Sequence, residues 1–484
     1  MTKTILIFGT HPIRESLVRQ YEASGARVAC SDAYALAGEV PDEVVILPTG
    51  REDAPAEAFL AELAKAVKGG HRPLVHLLLN ESVTLRKYMV SDFPPEVNAA
   101  LEVYPFTLEE AWAETVLQSG LDREPIGPES RQFAHLVIVG FDVFAQSLAL
   151  YAAQTAHFPN YNGGNPQPLR TRITLVGLPP KERDRFISRY HHLFDHSFYR
   201  LIDLEKQQAV LHHPEYEGRR KDFVDVEWEF VEGDVSHPVL QEKLKNWAKD
   251  DSRQLTLAVS TPDDNENLDI ALGFPDCVAE RGIPVWVRQG RDGLSAALGQ
   301  NPRYSHYRPF GMEDGGYDVH LPAIRLAKYL HYFYTCSPDL PTFFPREAVD
   351  AAWKEAGTLK MRLSNVWSVR CFAVKMRSVG HSADEYYALS LDEQEALARV
   401  EHNRWCVERL LSGTRVCTDE ELAAIRKDIG LKKQYKKERD AHRDLCSYDE
   451  LGVDERGVDV RQYDRDLTAC IPLIMKSFYE EAGR

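Results

Sequence analysis

The sequence predicts an α/β chain that turns all-α: two doubly wound parallel-sheet domains followed by a helical C-terminal domain. Three observations predict this. Thr4-Ile5-Leu6-Ile7-Phe8-Gly9 is an apolar run ending in glycine, and it opens an alternation of strand-like and helix-like segments. The same opening returns about 130 residues later as His135-Leu136-Val137-Ile138-Val139-Gly140. From about Leu321 the apolar spacing becomes helical and stays so.

Taken in order, Thr4 to Gly9 reads as a first strand, and Ile13, Leu17 and Tyr21 stand at helical spacing behind it. Ala26 to Cys30, Val44 to Leu47, Pro73 to Leu79 and Leu101 to Tyr104 read as the remaining strands of the first sheet. In the second unit, His135 to Gly140 is followed by the amphipathic run Ser147 to Ala156. The next strand, Thr171 to Val176, comes late because Phe158 to Arg170, rich in Asn, Gly and Pro, is an inserted loop. Trp228 to Val231, Leu255 to Ser260 and Ile283 to Val287 complete that sheet. Ile324, Leu326, Leu330 and Phe333 then begin a helical connector, punctuated by Pro338, Pro341 and Pro345, and everything after Arg346 reads as helix with polar loops. The expected divisions are 1–125, 126–315, a connector 316–380 and a helical domain 381–484.

A strand, a glycine turn and a helix N-terminus together make an anion site of the Rossmann kind, because free N–H groups and the helix dipole both favour negative charge. Neither unit carries the full G-x-G-x-x-G. The first reads Gly9-Thr10-His11-Pro12-Ile13-Arg14, with Asp32 about 20 residues on where a ribose-binding acid belongs. The second reads Gly140-Phe141-Asp142-Val143-Phe144-Ala145, which puts a carboxylate where a pyrophosphate should approach, and Gly177 stands where the ribose acid is expected. Gly9, Asp32 and Gly140 are therefore candidate cofactor residues for an adenine nucleotide or NAD(H), with a purely structural role as the alternative.

Three further spaced motifs bear on the second unit: Gly233-Asp234 after its third strand, Thr261-x-Asp263-Asp264-x-x-Asn267 after its fourth, and Val285-x-Val287-Arg288 on its fifth. Together with Val137 to Gly140 they resemble the regulatory nucleotide-binding domain of bacterial potassium-uptake systems (TrkA-N, or RCK-N) over about 150 residues. The resemblance implies a Rossmann-like fold with the adenosine end of a nucleotide near Gly140, Asp234 and Thr261, beside Asp263 and Asn267. Taken singly, Gly233 and Asp263-Asp264 also serve as turn formers.

In the C-terminal part, Leu397 to Leu411 is helix-forming and stops at Gly413, a suitable residue beyond a helix end. His402, Trp405 and Arg409 share one face of that helix, offering an indole to stack on a base and a guanidinium to pair with phosphate. The competing reading makes Trp405 core, His402 a satisfied partner and Arg409 a surface ion pair. The pattern Leu397-Ala398, His402, Trp405, Glu408-Arg409, Gly413, then His442-x-x-Leu445-x-x-Tyr448-x-x-Leu451 and Tyr463-Asp464-Arg465, resembles the ryanodine-receptor (RyR) repeat over roughly 390 to 475. It departs at Thr414, where that family has Trp. Some members of the family bind adenine nucleotides, so the resemblance implies a pocket lined by His402, Trp405, Arg409, Tyr448 and Arg465. Lys432 to Arg439 is the one strongly basic run, either a solvated helix face or a phosphate-recruiting one.

Composition narrows the classes. At 484 residues the chain has room for about three cores at roughly 150 residues each. No run approaches the ~18 apolar residues of a membrane span, and a signal peptide's long apolar region is not seen after Met1. The eight cysteines form no C-x-x-C pair, which fits a reducing compartment and a cytoplasmic location. A formal charge of −16 disfavours duplex nucleic acid as a partner. No nucleophile elbow, Walker A loop or zinc-spaced cysteine set is found, so no catalytic or metal residues are assigned, and His192-x-x-x-His196 beside Asp195 is read as structural.

The expectation is a cytoplasmic homo-oligomer, without membrane insertion, that senses a small nucleotide or nucleotide-derived signal. The joined TrkA-N and RyR resemblances imply a setting in bacterial antiviral or stress signalling. The alternatives are an NAD(P)-dependent oxidoreductase and a non-binding scaffold or cytoplasmic regulator of an ion-transport partner.

Overall fold

The structure, a computed structural model, describes residues 3–482 except 37, 39, 68–71, 81, 166, 213–222, 291–297, 299–300, 337–340 and 383–384. Two parallel α/β sheets are followed by a largely helical C-terminal region, as the apolar spacing predicts. Pro338 lies outside the described residues, while Pro345 stands at the N-cap of the helix Arg346–Lys354.

The first sheet has five strands, β1 (Thr4–Phe8), β2 (Arg27–Ser31), β3 (Glu43–Ile46), β4 (Leu74–Leu78) and β5 (Glu102–Phe106), ordered β2-β1-β3-β4-β5. Every pairing in it is parallel. Chain order reverses between β1 and β3, so the crevice of this unit opens there, beyond Gly9.

The second sheet contains β6 (Phe133–Val139), β7 (Thr171–Val176), β8 (Tyr199–Asp203), β9 (Gln208–His212), β10 (Val226–Glu232), β11 (Arg253–Val259), β12 (Val285–Arg288) and β13 (Tyr307–Phe310). Their order is β13-β12-β11-β6-β7-β10-β8-β9, a doubly wound Rossmann-like arrangement whose reversal falls between β6 and β11. β6 and β11 are buried along nearly their whole length, which explains their unbroken apolar runs. The antiparallel hairpin β8–β9 and the edge strand β13 were not anticipated from the sequence. Arg, Asp, Gln and Pro interrupt them, so their apolar stretches, Leu201-Ile202 in β8 and Ala209 to Leu211 in β9, are too short to mark a strand, and β9 is largely exposed.

The helical region is built on Pro322–Cys336, Arg346–Lys354, Leu359–Arg370 and Phe372–Ser378, then on the long helices Leu391–Leu411 and Arg461–Ala482. One departure from an all-helix expectation is the short parallel pair β14 (Arg415–Val416) and β15 (Ala441–His442). The Leu391–Leu411 helix starts at a capping box, in which Ser390 accepts from the Glu393 N–H and the Glu393 side chain accepts from Ser390. It ends at Gly413, whose φ of +87° fits glycine.

Apolar packing joins these parts. One buried cluster contains Trp112 and Leu117 from the first unit, Ala149 and Trp228 from the second, and Cys406, Leu410 and Leu445 from the helical region. A second runs from Tyr104 on β5 through Leu330, Trp353 and Phe372 to Leu397 and Ile471. Among the described residues no helix is long and apolar enough to cross a membrane.

Candidate functional site

The Leu391–Leu411 helix is buried over most of its circumference, leaving Trp405 and Arg409 partly accessible. Trp405 sits at the centre of an aromatic group. His402 stacks beside it at 5.8 Å between ring centroids, and His442 meets it edge-on at 4.9 Å. The Arg409 guanidinium lies 5.8 Å from the indole centroid and donates to Ser364 Oγ at 3.2 Å. Pairing of β14 with β15 is what carries His442 to this place.

Cations gather on the same side. The helix Leu431–Arg439 leads into β15 and supplies Lys432 and Lys436 one turn apart. Lys432 pairs with Asp444 at 2.7 Å. Lys436 and the half-buried Lys360 are both held below the ordinary lysine range. Loss of solvent is the first cause in each, and the positive charge of Arg409 is the second. His442 is pushed down to about 3 by burial, against the pull of Asp444 and with the help of Lys436, Lys432 and Arg409, so it is neutral near pH 7. The arrangement is an aromatic wall with clustered, mutually repelling cations, a shape that suits a planar group joined to a phosphate.

The five residues expected to line this pocket divide into two layers. Trp405 and Arg409 face it. His402 is buried behind the indole, with Nε2 at 2.8 Å from the Cys446 carbonyl and Nδ1 at 3.7 Å from Asp464. Tyr448 is also buried, packs edge-on to His402 and donates its hydroxyl to Glu395 at 3.2 Å. Arg465 binds the same Glu395 at 2.6 Å and approaches Asp459 at 3.5 Å, so its charge is spent on carboxylates beyond Tyr448. Lys360, Lys436 and His442 join the site instead. The Lys432/Lys436 spacing is visible in the sequence as one helix face; its target depends on the β14–β15 pairing, and two-residue strands leave no pattern.

At the heads of the two sheets, the predicted cofactor residues stand at the expected strand ends but already have partners. Gly9 has φ +93°, and a Cβ there would lie 2.0 Å from the Leu47 carbonyl oxygen. Gly140 has φ +101°, and a Cβ there would lie 2.0 Å from the Ser260 carbonyl oxygen. Close strand packing alone therefore demands both glycines. Asp32 is ion-paired with Arg14, which also donates to the Gly9 carbonyl at 3.0 Å.

In the second crevice Asp142 Oδ1 accepts from the Ala145 N–H at 2.8 Å and from Ser260 Oγ at 2.7 Å. Its other oxygen pairs with Arg288, which donates to the Thr261 carbonyl at 2.9 Å and lies over Phe144. The carboxylate thus takes the place at the helix N-terminus that a ligand phosphate would need. Thr261 N–H donates to Asn267 Oδ1 at 2.7 Å, Asn267 Nδ2 donates to the Thr261 and Arg288 carbonyls, and Asp263 caps the helix Asp264–Leu272. Exposed Asp234 accepts from the Ser236 N–H at 2.7 Å. Each of these motif residues builds a turn or a cap.

Among the described residues no group of three His, Cys, Asp or Glu side chains is placed to hold a metal. Fold and side chains together define a Rossmann-like α/β protein with an appended helical region in which Trp405, Arg409 and His442 lie together near Lys360 and Lys436. Neither a scan of known protein families nor a search of curated proteins finds a match to the chain.

Proposed function

We propose that this protein is a cytoplasmic ligand sensor whose helical domain takes up a nucleotide or nucleotide-derived signal. The base lies against Trp405, and the phosphate faces Arg409, Lys360 and Lys436. The observation that carries this is the partly accessible indole flanked by Arg409, near Lys360 and Lys436, which loss of solvent first and the charge of Arg409 second hold below their usual range. An anion relieves that repulsion, so its binding has a driving force already stored in the site. The TrkA-N and RyR resemblances support the same reading and suggest bacterial antiviral or stress signalling by a homo-oligomer as its setting.

The two sheet crevices are the poorer candidates, because Arg14–Asp32 and Asp142–Arg288 satisfy them from within. An NAD(P)-dependent oxidoreductase would need the second crevice open. Calorimetry with adenine nucleotides, cyclic nucleotides and NAD(H) tests the proposal. One or more of these should bind wild type, Trp405→Ala should lose at least tenfold in affinity, and Lys436→Gln should flatten the salt dependence. Binding that survives Trp405→Ala undiminished moves the ligand elsewhere and defeats the assignment.

A further inference from the structure

Arg362, on the Leu359–Arg370 helix, is 1% exposed, and none of its Nε, Nη1 or Nη2 atoms meets a hydrogen-bond partner among the described residues. A guanidinium carries five N–H donors and stays charged at any pH a protein survives, so it cannot escape burial by losing a proton. An unpaired ion in such a place costs several kcal/mol.

Its neighbours do not supply the missing charge. Among the described residues Arg72, whose guanidinium feels the charge of Arg362, donates to neutral carbonyls: Leu101 at 3.2 Å, Lys354 at 3.0 Å and Asn98 at 3.0 Å. Glu102 is committed to Trp353 Nε1 at 2.9 Å, to the Tyr104 hydroxyl at 2.7 Å and to Lys328 at 3.5 Å. The second acid near Lys328, Asp350 at 3.9 Å, is 46% exposed. Arg72 and Lys328 therefore flank one carboxylate, Glu102, whose Oε1 takes Trp353, Tyr104 and Lys328, and none of these contacts is with Arg362.

We propose that Arg362, with Arg72 beside it, holds a small inorganic anion between the first sheet and the connector helices. Arg72 leads into β4, Tyr104 lies on β5, and Arg362 belongs to a helix whose Leu359 is part of the first unit's core, so the bound ion ties these elements together. This site is separate from the pocket around Trp405 and does not depend on it.

Thermal unfolding of the full chain tests it. The midpoint is followed from 1 to 100 mM chloride, bromide or phosphate, with sodium gluconate holding ionic strength constant. A hundredfold rise in a specific ligand should raise the wild-type midpoint by on the order of 2–3 °C, and Arg362→Met should show no rise. A wild-type midpoint indifferent to which anion is present, or an equal rise in Arg362→Met, means that trapped water satisfies those donors and overturns the proposal. If Arg362→Met does not fold, crystals of the wild type grown in bromide decide the matter: an anomalous peak within hydrogen-bond reach of the guanidinium supports the site, and its absence refutes it.

Discussion

At the scale of single residues, His442 shows how a neighbourhood can make an ionisable group a liability in acid. Its folded value of about 3 lies below the ordinary 6.5. The unfolded chain therefore takes up a proton near pH 6.5, while the folded chain declines it until about pH 3. Stability from this residue is complete above pH 6.5 and drains away as pH falls, by at most about 1.4 kcal/mol per pH unit. Denaturant titrations of wild type and His442→Gln at pH 7.5, 6.5 and 5.5 should give parallel results down to pH 6.5 and a shallower decline in the variant below it. An identical decline in both would show that the imidazole is not held neutral. The sequence already exposed Trp405 and Arg409 as one helix face, because their spacing alone puts them there. It could not choose among the acids available to Arg465, and Glu395 lies 70 positions away along the chain.

At the scale of elements, the Leu391–Leu411 helix is the least ordinary piece of the chain. An exposed amphipathic helix would turn its charges outward, yet Glu401, Arg404 and Glu408 are all buried. Arg404 binds Glu401 at 2.9 Å and Glu408 at 2.8 Å, and Glu401 also binds Lys375 of the Phe372–Ser378 helix and Ser368. Burial would push the Glu401 carboxyl up, but Arg404 and Lys375 outweigh it and hold the group at about 2. Removing that one charge leaves two buried cations facing each other. Glu401→Gln should lose about 3–5 kcal/mol by denaturant unfolding, whereas a surface change such as Glu420→Gln should lose less than about 0.5 kcal/mol. A mild effect at Glu401 would mean that solvent reaches the network. The helix over Leu397–Leu411 and its terminal glycine were legible from spacing and residue type, whereas the capping box at Ser390 and the earlier start at Leu391 were not anticipated. Nor was the burial of its charged residues from Glu401 to Glu408, since charged residues on several faces usually mean solvent.

At the scale of the whole molecule, the two parallel sheets follow from the repeated apolar run ending in glycine, while the way the parts join is a matter of long-range packing. A single apolar cluster draws on the first unit, the second unit and the helical region, and Arg370–Glu114 and Arg377–Asp122 bridge the connector to the first unit. Parts that share a core lose their partners together when one opens. Calorimetric melting should accordingly show one principal transition, with the helical region and the sheets unfolding within a few degrees of each other. Two well-separated peaks, or a stable fragment 1–315 released by mild proteolysis, would contradict such coupling.

The Asp142–Arg288 pair at the head of the larger sheet has an effect on competition. A side-chain carboxylate tethered to the chain cannot be diluted, so it confronts any incoming phosphate at a fixed, high effective concentration that no dialysis can lower. A phosphate entering this groove would first have to displace the Asp142–Arg288 pair, so any affinity measured there would carry that cost.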